Sequence, residues 1–225
     1  MSLAFMRLLQ LASPALPIGA YTYSQGLEWA VEAGTVNDEA GALAWIGDQL
    51  DWNIGRFEAP LLSRMLAAWR LEDDAELARL DAEFVASRES AELRAETLQM
   101  GYSLRRLLDE LPDFPSGLRE RLHAIPQPSF PLAWAGAAVA WECADGAALG
   151  AYLWAWSENQ VMAALKAVPL GQTAGQRILA ELSQRIPAIA ARALATAEED
   201  FSNFAPGFAI ACCRHETQYS RLFRS

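Results

Sequence analysis

The chain has 225 residues, 52% of them hydrophobic, and its 18 basic and 28 acidic side chains leave a net charge of −10. That apolar content excludes a disordered body and is ample for a real core, and the negative charge excludes a grip on duplex nucleic acid, whose phosphates demand a basic face. The charge is uneven, −12 over residues 1–159 and +2 over residues 160–225, so an acidic partner fits the last third best.

In chain order, the opening MSLAFMRLLQLASPA superficially resembles a leader, but Arg7 falls inside the apolar run where a basic residue should precede it. Secretion is not expected. Cys143, Cys212 and Cys213 form no even disulfide framework, which fits a reducing cytoplasm. Residues 13–29, SPALPIGAYTYSQGLEW, place two prolines, two glycines and two tyrosines between helical stretches. Ser13, Thr22 and Ser24 have no neighbouring His, Cys or Lys to activate a hydroxyl, so the segment reads as a recognition element rather than a nucleophile site.

The spacing of apolar residues then predicts helices almost throughout. A short one covers 26–33 and ends at Gly34. Asn37 or Asp38 caps a second, with Ala40, Leu43, Ala44, Gly47, Leu50, Ile54 and Phe57 as its inward stripe; Pro60 should divide that run or open the next helix. Asp73 and Glu76 form a capping box before helices at 75–88 and 91–111, and PDFPSG closes the first half. A short helix at 118–125 and a PQPSFP connector lead to the two most apolar helices, 132–143 and 147–167, too interrupted by Glu142, Asp145 and Gly146 to be a membrane span. LGQTAGQR follows, then a helix over 178–197 with a kink at Pro187. No period-two run is long enough for a sheet, and the expectation is an all-α fold of roughly nine to eleven helices in one domain.

Chemistry is sparse. Gly171 to Arg177 has three residues, not four, between its glycines and lacks the lysine of a phosphate loop; close helix packing explains the glycines better. The clustered Cys212, Cys213 and His215 could ligate a soft metal, but the second histidine, His123, is distant in sequence. The carboxylates read as solvated helix faces, and no pair stands out as a general acid and base, so no enzyme is expected. Of the 18 basic residues only Lys166 is lysine, at the end of an apolar run where a long cation reaches solvent. In the 147–167 helix, Leu149, Tyr152, Leu153 and Trp156 share one face, while Trp154 lies on another with Gly150, Ser157 and Val161. That helix is either sandwiched in the core or offers a second apolar side.

The segments LPIGAYTYSQGLE (16–28), LKAVPLGQTAGQR (165–177) and RHETQYSRLFRS (214–225) closely resemble those of the urease accessory protein UreF family, in the same order and at the same total length. Cys212-Cys213 departs from the family pattern, and no metal role is carried onto it. The resemblance implies a cytoplasmic, dimeric, all-α scaffold without catalysis or cofactor, which binds UreD (also UreH), recruits and modulates the GTPase UreG and helps insert nickel into apo-urease. No nucleic acid or membrane enters this role. On this chain it implies a GTPase-binding set of Lys166, Gln172, Gln176 and Arg177. It also implies a UreD-docking set of Tyr21, Tyr23, Glu216, Tyr219, Arg221, Leu222 and Phe223, within a docking segment at 1–23 and a docking tail at 212–225. Gly150 and Trp154 fall in the implied homodimer interface. Both ends are expected to gain order only on the partner surface. The alternative is a direct nickel-binding chaperone using Cys212, Cys213 and His215.

Overall fold

The computed structural model describes residues 2–225 and is all-helical across them. Eleven α-helices run α1 Leu3–Leu11, α2 Leu27–Glu32, α3 Glu39–Asp48, α4 Ala59–Leu71, α5 Asp74–Ala86, α6 Ala91–Glu110, α7 Ser116–Ala124, α8 Phe130–Ala140, α9 Asp145–Ala167, α10 Gln172–Ala195 and α11 Pro206–His215. The expected all-α architecture is what the chain adopts. Among the described residues no helix is long and apolar enough to cross a membrane.

The centre is α8, buried along Pro131–Ala138 and packed between α4 and α6. Small residues bring the backbones close. A β-carbon on Gly136 would lie 3.1 Å from the Trp69 ring, whose Nε1 donates to the Leu132 carbonyl at 3.1 Å. On the other side, a β-carbon on Gly101 of α6 would lie only 2.0 Å from the Pro128 carbonyl oxygen. The long helix α9 lies against α10, α2, α1, α4 and α3, so most of its circumference is interior.

The predicted caps are present: Asp38 accepts from the Gly41 amide at 2.8 Å and Asp73 from the Glu76 amide at 3.0 Å. Pro60, expected to divide its run or open the next helix, sits in the first turn of α4, yet the chain does not break. Residues Gln49–Glu58 instead widen into a π-helix joining α3 to α4. The ring of Pro60 would crowd the Arg56 carbonyl, and that oxygen is satisfied from outside the helix by the Ser202 amide at 3.1 Å. Helix α10 begins at Gln172 rather than 178 and continues through Pro187. Gly175 is therefore helical, and a β-carbon there would lie 2.8 Å from Leu165, as close packing requires; Gly171 faces open space.

Residues 3–11, read above only as a rejected leader, form α1. Ser2 caps it, Leu8 and Leu11 face inward, and Leu3, Phe5, Met6 and Leu9 are exposed.

Candidate functional site

Both ends of the chain meet in one place, and polar groups rather than apolar periodicity hold them there. The Ser24 and Gln25 amides donate to the Ser225 carbonyl at 2.8 and 3.1 Å, the Ser24 hydroxyl donates to it at 2.6 Å, and the Arg224 amide donates to the Thr22 carbonyl at 2.8 Å. Beneath this seam Gly26, at φ +76°, lets α11 approach: a β-carbon would lie 3.0 Å from the Cys212 amide nitrogen.

Three carboxylates form the receptor for the tail. Glu28 accepts the Leu222 and Phe223 amides at 2.6 and 3.0 Å and faces His215 Nε2 at 3.2 Å. Glu92 lies between His215 Nδ1 and the Arg221 guanidinium, each at 2.6 Å. Glu96 takes the Ser225 hydroxyl at 2.6 Å on one oxygen and the Gln25 amide at 2.7 Å on the other. Gln25 in turn accepts from Trp156 Nε1 at 2.8 Å. Phe223 and Ser225, at 6% and 2% exposure, are folded onto the body. The expectation that the ends gain order only on a partner overlooked these contacts, because a search for apolar periodicity is blind to carboxylates that collect backbone amides.

The predicted UreD-docking residues therefore divide. Tyr21, Tyr219 and Leu222 are exposed, whereas Tyr23 and Phe223 are buried. Burial pushes the Tyr23 phenol up, with the nearby Glu96 carboxylate adding to it. Arg221 is paired with Glu92, and Glu216 accepts the Ala91 amide at 2.7 Å, helping Ser90 cap α6.

Lys166 joins the three resembling segments. Its ammonium is 3.5 Å from the Tyr21 carbonyl and sits 5.7 and 5.6 Å from the Tyr21 and Phe223 ring centres, while remaining exposed. The Gly175–Leu165 contact sets the first turn of α10 beside the end of α9, with Gln172 and Gln176 exposed there. Arg177 is not free: it grips Glu39 of α3 with two hydrogen bonds, 2.7 and 2.6 Å, and those bonds draw the Glu39 carboxyl below its ordinary value.

The remaining candidates do not gather. Cys212 is buried against Gly26, Cys213 is exposed with its sulfur 4.0 Å from the Glu89 carbonyl, and both nitrogens of His215 are occupied by Glu92 and Glu28. Gly150 borders open space, but Ser157 and Val161 beside Trp154 are interior and Trp154 itself is half-buried against the core.

The reading of the carboxylates as solvated faces is corrected, for Glu28, Glu58, Asp81 and Glu96 are all buried. Glu58 pairs with Arg88 at 3.2 Å and accepts from the Tyr152 hydroxyl. Together with Glu96 they floor a cavity of about 160 Å³ walled by Leu11, Leu16, Met100, Phe130, Trp134 and Trp156. Helical register carried the signal for Glu96, which falls in the inward stripe of Leu93, Met100 and Leu104.

The family model "UreF" matches residues 36–183. The chain belongs to the UreF family. It is 64% identical over 225 residues to a "Urease accessory protein UreF" of Azoarcus sp. (strain BH72), covering 99% of this chain and 96% of that one. It is 58% identical over 224 residues to the protein of the same description in Dechloromonas aromatica (strain RCB), covering 99% and 98%. A third, from Methylobacillus flagellatus, is 52% identical over 224 residues and covers 100% and 99%. The matched span ends just beyond Arg177, so α1, the recognition segment and the tail lie outside the family model but inside all three pairwise matches.

Proposed function

We propose that this UreF-family protein is a cytoplasmic, non-enzymatic scaffold for urease maturation, working as a homodimer through the Gly150–Trp154 side of α9. It bridges UreD (UreH) and the GTPase UreG so that nickel, the cargo, reaches apo-urease. The observation that carries this reading is the meeting of the recognition segment and the tail at Lys166, next in sequence to Leu165, which packs on Gly175 in the first turn of α10. A residue that touches both segments and adjoins the Leu165 contact with α10 couples a change at the tail to a change at the surface that carries Gln172 and Gln176. Tyr21, Tyr219 and Leu222 then supply exposed aromatic and aliphatic anchors for UreD, of the kind that dominate interface energetics. Lys166, Gln172 and Gln176 supply a flexible cation and two amides for the GTPase.

Direct nickel chaperoning by this chain has weaker support, because Cys212, Cys213 and His215 point to separate surroundings. The test is co-purification from cells expressing the urease operon. Tagged chain should recover UreD, and UreG only when UreD is present; folded chain that recovers neither overturns the scaffold role. Tight stoichiometric nickel binding by the isolated protein, lost when Cys212, Cys213 and His215 are changed, would put the chaperone reading ahead.

A further inference from the structure

Glu96 is unusual among the tail-holding carboxylates because no arginine or imidazole nitrogen bonds to it, whereas Glu28 and Glu92 face His215 and Glu92 also holds Arg221. The groups that face it are Arg88 from the α5–α6 link, Glu58 from the π-helix, Tyr152 from α9, Cys212 from α11 and Tyr23 from the recognition segment. Arg88, the one cation of that set, is committed to Glu58 at 3.2 Å and stacks on Phe84 at 4.2 Å, while the Tyr152 hydroxyl is also spent on Glu58. Glu96 therefore touches only uncharged donors, Gln25 from the recognition segment and Ser225 from the tail. It joins the recognition segment and the tail at a cavity whose lining also carries Lys166, Glu158 and Asn159.

We propose that Glu96 is a proton-controlled latch: protonated, it clasps Ser225 and keeps residues 222–225 on the recognition segment, and ionised, it favours the opened tail in which water reaches its carboxylate. The proposal concerns the isolated chain and stands whether or not the scaffold reading does.

Both protonation states can keep the Ser225 contact. The neutral acid donates to the Ser225 hydroxyl oxygen and the carboxylate accepts from it, so what separates the states is the cost of holding a charge on a buried side chain. Burial, set against the two hydrogen bonds and Arg88, pushes the Glu96 carboxyl up to about 7, well above its ordinary value. The sign follows. A carboxyl whose pKa is higher closed than open stabilises the closed form fully below the open-state value, and that advantage is lost as pH rises from there to the closed-state value. Above about 7 no further loss is expected.

Hydrogen exchange of the full chain tests this. After correction for intrinsic rates, protection of the Leu222 and Phe223 amides should fall on the order of 10- to 100-fold between about pH 5 and about pH 7.5, while α8 amides hold theirs. Glu96→Gln, whose amide mimics the neutral acid, should keep the tail protected across that range. If Glu96→Gln does not fold, carboxyl-carbon NMR of the unaltered protein takes its place, and the Glu96 titration midpoint should coincide with the loss of protection. Wild-type protection that does not change with pH overturns the latch. So does a pH dependence that survives in Glu96→Gln, or a Glu96 midpoint in the ordinary carboxylate range, since either moves control to Glu28, Glu92 and His215.

Discussion

The α4–α8–α6 core and the junction of the two chain ends are both buried, yet opposite forces hold them. The core is apolar surface pressed through glycine contacts at Gly136 and Gly101. The junction is a set of carboxylates collecting amides, a hydroxyl and an imidazole across a chain separation of up to 195 residues. Packing of the first kind resists pH and single charge changes. The second kind can be opened by either, without unfolding the rest, and local opening of that sort is how a docking segment changes state.

The core should break outright where it is tightest. Gly101→Ala puts a β-carbon 2.0 Å from the Pro128 carbonyl oxygen, and both atoms are backbone-fixed, so the α6–α8 contact must separate. A loss of more than ~3 kcal/mol is expected, seen as a melting temperature lower by roughly 10 °C in thermal unfolding. An unchanged melting temperature would mean that the contact is far more yielding than its geometry.

Trp154→Asp separates core from interface on α9. The half-buried ring loses its packing and an acid takes its place, a change of several kcal/mol if it faces a second subunit. A folded monomer by light scattering and circular dichroism is expected, with urease activation lost. A folded mutant that stays dimeric refutes the interface, and an unfolded one returns Trp154 to the core with its neighbours Ser157 and Val161.

The junction should open more gently. Glu28→Gln replaces an acceptor of two amides with a group that satisfies one and opposes the other with its own N–H, costing the tail about 1–3 kcal/mol. Trypsin should then cut after Arg221 roughly ten times faster while the melting temperature hardly moves. Equal loss in both readouts would show that core and junction unfold together.

The same contrast explains what could be read from sequence. Helix period, caps and the two apolar helices were legible because apolar spacing and cap chemistry are local, and Asp38, Asp73, α8 and α9 stand where those rules put them. The π-helix before Pro60 was hidden because its rescue comes from Ser202, far along the chain. Lys166 stood out as the lone lysine, but its place between Tyr21 and Phe223 depends on tertiary folding. Glu28 lay within the recognised motif and Glu96 within an inward stripe, and both were masked by the rule that carboxylates belong in water.

The smallest structural effect and the most specific functional one should come from Lys166→Ala. The ammonium is exposed and makes only a 3.5 Å approach to a carbonyl and two ring contacts near 5.6 Å, so its removal should cost the tail less than about 1 kcal/mol. Recruitment of the GTPase to a preformed complex with UreD should nonetheless weaken, on the order of tenfold if the cation meets a carboxylate there. UreD binding should remain, because Tyr219 and Leu222 are untouched. Lys166→Arg makes the comparison sharper. It keeps the charge and the stacking on Tyr21 and Phe223 but replaces a compact ammonium with a planar fork. Tail protection equal to wild type together with impaired recruitment would assign Lys166 to the GTPase surface. Unimpaired recruitment by Lys166→Ala would reject that assignment and leave the side chain only its intramolecular role between the two ends.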